Sequence, residues 1–134
     1  MTCQPREAAF LPTSRFTRYW LPVLVYCAAI FIQSSFPTAG QLPQWPGLDK
    51  ILHMAAYALL GFLFFRALAS GRPSKNHNIL LILSILFSGL YGLGDEFHQS
   101  FVSGRVAETA DALADLAGGF LGAGWGWLRA TGHY

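Results

Sequence analysis

The charged positions of this chain are bunched, with long uncharged runs between them. No Asp, Glu, Lys or Arg falls between Arg18 and Asp49, between Lys50 and Arg66, between Lys75 and Asp95, or between Asp115 and Arg129. A helix needs roughly 20 mostly apolar residues to cross a bilayer, and four such helices fit these gaps. A soluble four-helix bundle would instead show a polar stripe at every third or fourth position. Tyr19–Phe36 and Ile79–Leu93 are apolar all round, and this sets the soluble bundle aside. The pattern predicts helices over about residues 19–36, 48–69, 79–99 and 109–129.

The punctuation between these runs agrees. Pro37, Gly40, Pro43, Pro46 and Gly47 break the first connection, and Gly71, Arg72 and Pro73 break the second. Tyr19, Trp20, Trp125 and Trp127 stand near span ends, where amphipathic rings favour the membrane–water boundary. The expected fold is therefore all-α, a polytopic membrane bundle of about four transmembrane helices. Residues 1–18 and 130–134 form short tails around one transmembrane domain over 19–129.

Orientation follows from the basic residues of the short connections. Arg6, Arg15 and Arg18 precede the first span, Arg66, Arg72 and Lys75 cluster around the second connection, and Arg129 ends the fourth. The first connection has no basic residue before Lys50, and the third has only Arg105. Both tails and the middle connection are thus expected in the cytoplasm. The first span has an alternative reading as a signal peptide with Thr38-Ala39-Gly40 as a poor cleavage site. Its apolar run is longer than a usual signal core, which favours a span.

Composition changes this picture little. Of 134 residues 53% are hydrophobic and 12% charged, about half the charged share of a soluble domain. A net charge of +2, scattered along the chain, gives no footprint for nucleic acid. Cys3 in the tail and Cys27 within the first span read as free thiols.

The candidate chemistry collects at one end. Six of the seven acidic residues are Asp49, Asp95, Glu96, Glu108, Asp111 and Asp115. On the expected topology all six face outward, together with Lys50, His53, His98, Gln99 and Arg105. Asp49, His53 and Tyr57 make one stripe of the second helix. Ser88, Tyr91, Asp95 and Gln99 share a face of the third, with Ser84, Gly92 and Glu96 beside it. Asp111, Asp115, Gly118, Gly122 and Gly126 share a face of the fourth, and the small-xxx-small glycines invite close helix packing. Leu116–Leu128 is too short to span alone, so Asp115, with Asp111 near it, must lie in or at the membrane. A carboxylate there costs about 2.5–3.5 kcal/mol and calls for a partner.

Plainer readings exist for each residue. Asp49, Thr109 and Asp111 can serve as helix caps. Asp95, Glu96 and Glu108 can be solvated charges at loop ends. His77 and His133 read as structural, and His98 stays open.

Two stretches resemble the VanZ-like membrane family. They are Asp49-Lys50-Ile-Leu-His53-Met-Ala-Ala-Tyr57 through Gly61, and Asp95-Glu96-Phe-His-Gln99 through Gly104-Arg105, followed by Asp111 and Gly118. Ser34-Ser35 with Pro37 matches the family's usual end to its first helix. Ser103 departs from a frequent proline and Asp115 from a common asparagine. The resemblance implies a multi-pass protein of the bacterial inner membrane whose namesake gives low-level teicoplanin resistance. Other members occur alongside envelope and exopolysaccharide systems.

Three functional expectations follow. In the first, the polar end binds or modifies a membrane lipid, or a lipid-linked cell-wall or exopolysaccharide precursor. His53 with Glu96 or Asp95 is then the acid/base pair, Asp49 or Asp111 orients the imidazole, and Arg105 takes a phosphate or carboxylate. Gln99, Lys50, Tyr57 and Asp115 complete the binding set. No nucleophilic serine or cysteine belongs to this group. No cofactor is expected, because no recognised ligand spacing such as His-Glu-x-x-His accompanies the His and carboxylates, although their clustering leaves a divalent cation open. The second expectation is a small proton-coupled carrier. The third is a structural partner of an envelope complex, with the polar group as helix glue. A homodimer through the glycines would give the carrier the symmetry that its short, unrepeated chain lacks.

Overall fold

A computed structural model describes residues 14–37, 45–71 and 76–132. The readings that rest on Cys3, Arg6, Gly40, Pro43, Arg72, Pro73, Lys75 and His133, and the cleavage site at 38–40, lie outside the described residues. Among the described residues the protein is all helix, without strands. One π-helical turn, Phe16–Trp20, leads into α1 (Leu21–Ser34), followed by α2 (Leu48–Ala69), α3 (His77–Gln99) and α4 (Thr109–Thr131). The turn with α1, then α2, then α3 are long and apolar enough to cross a membrane. α2 has 22 residues and α3 has 23, which at ~1.5 Å per residue matches a hydrocarbon core of ~30 Å.

Helix ends differ from expectation by a few residues, for local reasons. The first helix begins at Phe16 and stops at Ser34 rather than Phe36, because Pro37 disfavours helical backbone in the residue before it. The third begins at His77 rather than Ile79, since the Asn76 side chain accepts from the backbone N–H of Asn78 and caps the first turn at 3.0 Å. The fourth runs two residues past Arg129 and ends at Gly132, whose φ of 70° suits glycine.

The bundle carries its large apolar residues outside. Leu90 is 67% exposed and Leu113 67%, while Asp115 and Ser88 are fully buried. In water this distribution would be unstable. In lipid it is the economical one, because tails solvate leucine while polar groups must find partners inside.

α4 packs most extensively on α2, and glycines make that possible. A Cβ on Gly122 would fall on the carbonyl oxygen of Ala58, and one on Gly118 on that of Met54. Gly61 of α2 returns the fit, since a Cβ there would stand 2.5 Å from the Gly119 carbonyl oxygen. Removing side chains at these points lets the two backbones touch, and dispersion contacts replace the missing hydrophobic drive. Further along the same face, Gly126 lies against the Phe65 ring, which belongs to a small core with Leu80 and Ala123.

α1 is held by polar stitches. Tyr26 donates to the Ala56 carbonyl at 3.1 Å and Tyr91 to the Cys27 carbonyl at 2.7 Å. At the end where α2 finishes, Arg66 donates to the Arg18 carbonyl and Arg15 to that of Gly71, at 2.9 and 2.8 Å.

Candidate functional site

The polar end gathers the start of α2, the end of α3, the start of α4 and the α3–α4 connection. Stripe spacing on α2 turns His53 toward the other helices, and the four-residue repeat on α4 turns Asp111 and Asp115 back toward it. His53 Nδ1 and Asp115 Oδ1 stand 2.9 Å apart, and Glu96 Oε1 is 3.9 Å from the same nitrogen. Burial is deep here. The Asp115 side chain is 0% exposed, Glu96 9% and His53 16%.

Asp115, rather than Asp49 or Asp111, is thus the carboxylate on the imidazole. Asp49 stands one turn too early on α2, and it and Asp111 bind another residue. Lys50 Nζ lies 2.8 Å from Asp49, 2.9 Å from Glu108 and 3.2 Å from Asp111. One ammonium therefore bridges α2 to the start of α4. Neither Asp49, Thr109 nor Asp111 makes a capping bond; Gly47 and Glu108 occupy the N-cap positions. Nor are Asp95 and Glu96 solvated charges at a loop end, being 6% and 7% exposed. Glu96 Oε2 accepts the backbone N–H of Glu108 at 3.1 Å, which fixes where α4 starts. Glu108 itself is half exposed, as a solvated charge would be, yet it holds Lys50.

A second chain of bonds runs from the loop into α3. Arg105 donates through Nη1 to Gln99 Oε1 at 3.3 Å, and Gln99 Nε2 donates to Asp95 Oδ2 at 2.9 Å. The remaining bonds of Arg105 go to the end of α1, from Nε to the Phe36 carbonyl at 3.0 Å and from Nη2 to that of Gln33 at 2.9 Å. The guanidinium therefore acts first as a clamp on carbonyls at and just past the C-terminal end of α1, the negative end of that helix. Of its five N–H donors, two remain.

These elements border an open cavity of about 290 Å³, walled by Gln33 and Ser34 of α1, His53 and Tyr57 of α2, Asp95 and Gln99 of α3, and Arg105, with Ile30, Leu52 and Ala56 as its apolar wall. The Tyr57 hydroxyl is buried and has no hydrogen-bond partner among the described residues. Since Nδ1 of His53 is engaged with Asp115, Nε2 is left as the ring nitrogen without a hydrogen bond among the described residues. An imidazole held at one nitrogen by a buried carboxylate, with its ring bordering a cavity, can pass a proton to a bound group.

Gln33, Ser34 and Phe36 are the contributors that sequence reasoning did not place in the site. A signal existed for them. The last carbonyls of α1 needed donors, and Arg105 was the basic residue expected at the same end. His98 lies apart from the cavity, stacked on Phe31 with Nε2 3.0 Å from the Ser35 hydroxyl, in a structural role.

Comparisons with known proteins fit this geometry. The fission yeast (Schizosaccharomyces pombe) "Uncharacterized protein C11E3.10" is 30% identical over 95 residues, covering 70% of this chain and 55% of the relative. The chain thus spans about half the length of that protein. No solved structure matches. The VanZ/LLP1 family matches over residues 7–129, which contain every residue of the site described above, and the protein belongs to that family.

Proposed function

We propose that the polar end is a head-group site at the outer leaflet, where the protein binds and chemically modifies a phosphate-bearing lipid or lipid-linked molecule. The observation that carries this reading is the buried His53–Asp115 pair beside the cavity under Arg105. His53 is the proton-transfer group, Asp115 fixes its tautomer, and Arg105 offers its two spare N–H donors to the head group. Hydrolysis or group transfer is the reaction class. A relative in fission yeast favours a head group common to many membranes over a cell-wall precursor. In a bacterial inner membrane, altered outer-leaflet lipid chemistry would then be the route to any teicoplanin-type resistance.

The carrier reading has less support. Among the described residues, the buried charged side chains Asp95, Glu96, Asp111 and Asp115 all sit at the polar end. Toward the other end the interior narrows to glycine-on-backbone contacts and two serines, Ser84 and Ser88, whose hydroxyls donate to the carbonyls of Leu80 and Tyr57.

The test compares membrane lipid extracts from cells making wild-type protein, His53→Ala or no protein, by mass spectrometry. A phosphate-bearing species should change with wild-type protein, and equal amounts of His53→Ala should lower the rate of that change by roughly 10²–10⁴-fold. Identical profiles for wild type and no protein, or for wild type and variant, would remove the acid/base assignment.

A further inference from the structure

The charges at the bottom of the site do not balance. Lys50 is taken up by Asp49, Glu108 and Asp111, and Arg105 faces the α1 carbonyls and Gln99. That leaves His53 against three buried carboxylates, Asp95, Glu96 and Asp115, of which Asp95 is bonded by the Gln99 amide and the other two face the imidazole. Each of these keeps one buried oxygen without a hydrogen bond, Glu96 Oε1 and Asp115 Oδ2. The unpartnered Glu96 Oε1 is the atom that faces His53 Nδ1 at 3.9 Å. Buried polar atoms normally find a partner, so this oxygen points to something that binds beside the imidazole.

We propose that His53, Glu96 and Asp115 hold one divalent cation of the zinc or manganese kind. The ligands are His53 Nδ1, Glu96 Oε1 and a carboxylate oxygen of Asp115, and one such atom from each residue lies within 4.8 Å of the other two. Zinc ligands lie at about 2.0–2.2 Å from the ion and hence roughly 3–3.5 Å from one another. The 2.9 Å pair is already near that spacing, and a modest approach by Glu96 completes it. One imidazole and two carboxylates are the donors of a borderline ion, whereas magnesium and calcium favour oxygen alone. The second acidic group, Asp49 with Glu108 and Asp111, already surrounds the Lys50 ammonium.

Binding replaces the Nδ1–H bond to Asp115 by a bond from nitrogen to the ion; a neutral ring becomes the Nε2–H tautomer, and an imidazolium releases its Nδ1 proton to solvent. Three protein ligands leave a coordination position open. The next step rests on the head-group reading. An anionic phosphate completes the coordination, and this explains how an end bearing six carboxylates accepts it. His53 is then a ligand, and a water taken on as a fifth ligand, made more acidic by the ion, takes over the proton transfer.

The test starts from full-length protein in lipid nanodiscs, stripped with EDTA and titrated with Zn²⁺ or Mn²⁺ alone. About one ion per chain should remain after desalting, measured by mass spectrometry of the metal. Glu96→Gln, Asp115→Asn and His53→Ala should each weaken binding at least about tenfold, while Asp49→Asn should bind as wild type. Co²⁺ supplies a second readout that does not need the variants to fold, since its visible spectrum in wild-type protein should report nitrogen and oxygen ligands and vanish with excess Zn²⁺. Wild-type protein that retains no ion and gives no Co²⁺ spectrum overturns the proposal, as does wild-type affinity in folded Glu96→Gln and Asp115→Asn. Lipid modification that persists in EDTA removes the cation but keeps the head-group site. An ion that binds while lipids stay unchanged does the reverse.

Discussion

Asp115 shows how much can rest on one buried carboxylate. Removing it entirely leaves the half-buried His53 Nδ1 without its partner, so Asp115→Leu should cost about 3–5 kcal/mol, as breaking a buried pair does. Asp115→Asn keeps an acceptor oxygen for Nδ1–H and should cost far less. Thermal unfolding in matched detergent separates them, and equal losses would mean that the pair does not contribute to stability. This also fits the departure noted in the sequence, where an asparagine commonly stands. Arg105 gives a second case. Lysine keeps the charge but not the fork that reaches the Gln33 and Phe36 carbonyls together. Arg105→Lys should therefore lose nearly as much stability as Arg105→Ala, about 1 kcal/mol after solvent screening. Full rescue by lysine would reduce the clamp to simple charge.

At the level of elements, glycine position matters more than glycine number. Gly122 lies against Ala58, whereas a Cβ on Gly124 would meet nothing within 4 Å. Gly122→Ala should destabilise by about 1–3 kcal/mol through overpacking. Gly124→Ala should be neutral or gain up to about 1 kcal/mol from helix propensity. Parallel melts check this, and the reverse order would put α4 on its other face. That interface was legible in the sequence, because small residues four apart on a helix with no polar alternative leave few other uses. Helix existence was legible for the same reason, since uncharged length is what a bilayer selects. Helix ends were not, as they depend on single bonds such as the Asn76 cap. Nor was the pairing within the site. Asp111 and Asp115 both lie on the face of α4 that turns toward His53, and only the depth at which α4 crosses α2 decides which one meets the ring.

For the whole molecule, the basic residues of the connections are the ground for expecting both tails in the cytoplasm and the polar end outside. Reporter fusions near Arg72 and after Tyr134 should read cytoplasmic, and one near Pro43 should read external; a cytoplasmic signal at Pro43 would put the head-group site on the inner leaflet. α4 differs from the other helices in having Asp111 and Asp115 in its first two turns and Arg129 in its last. Its partners, Lys50 and His53, are synthesised well before it. This separation sets an order of biogenesis. α4 cannot enter the bilayer on its own hydrophobicity, because its carboxylates become tolerable only beside a helix already in place. Losing Lys50 and His53 together should therefore leave a fraction of chains with three inserted helices and an external C-terminus, visible as protease-sensitive ends on nascent chains before any difference in mature stability emerges.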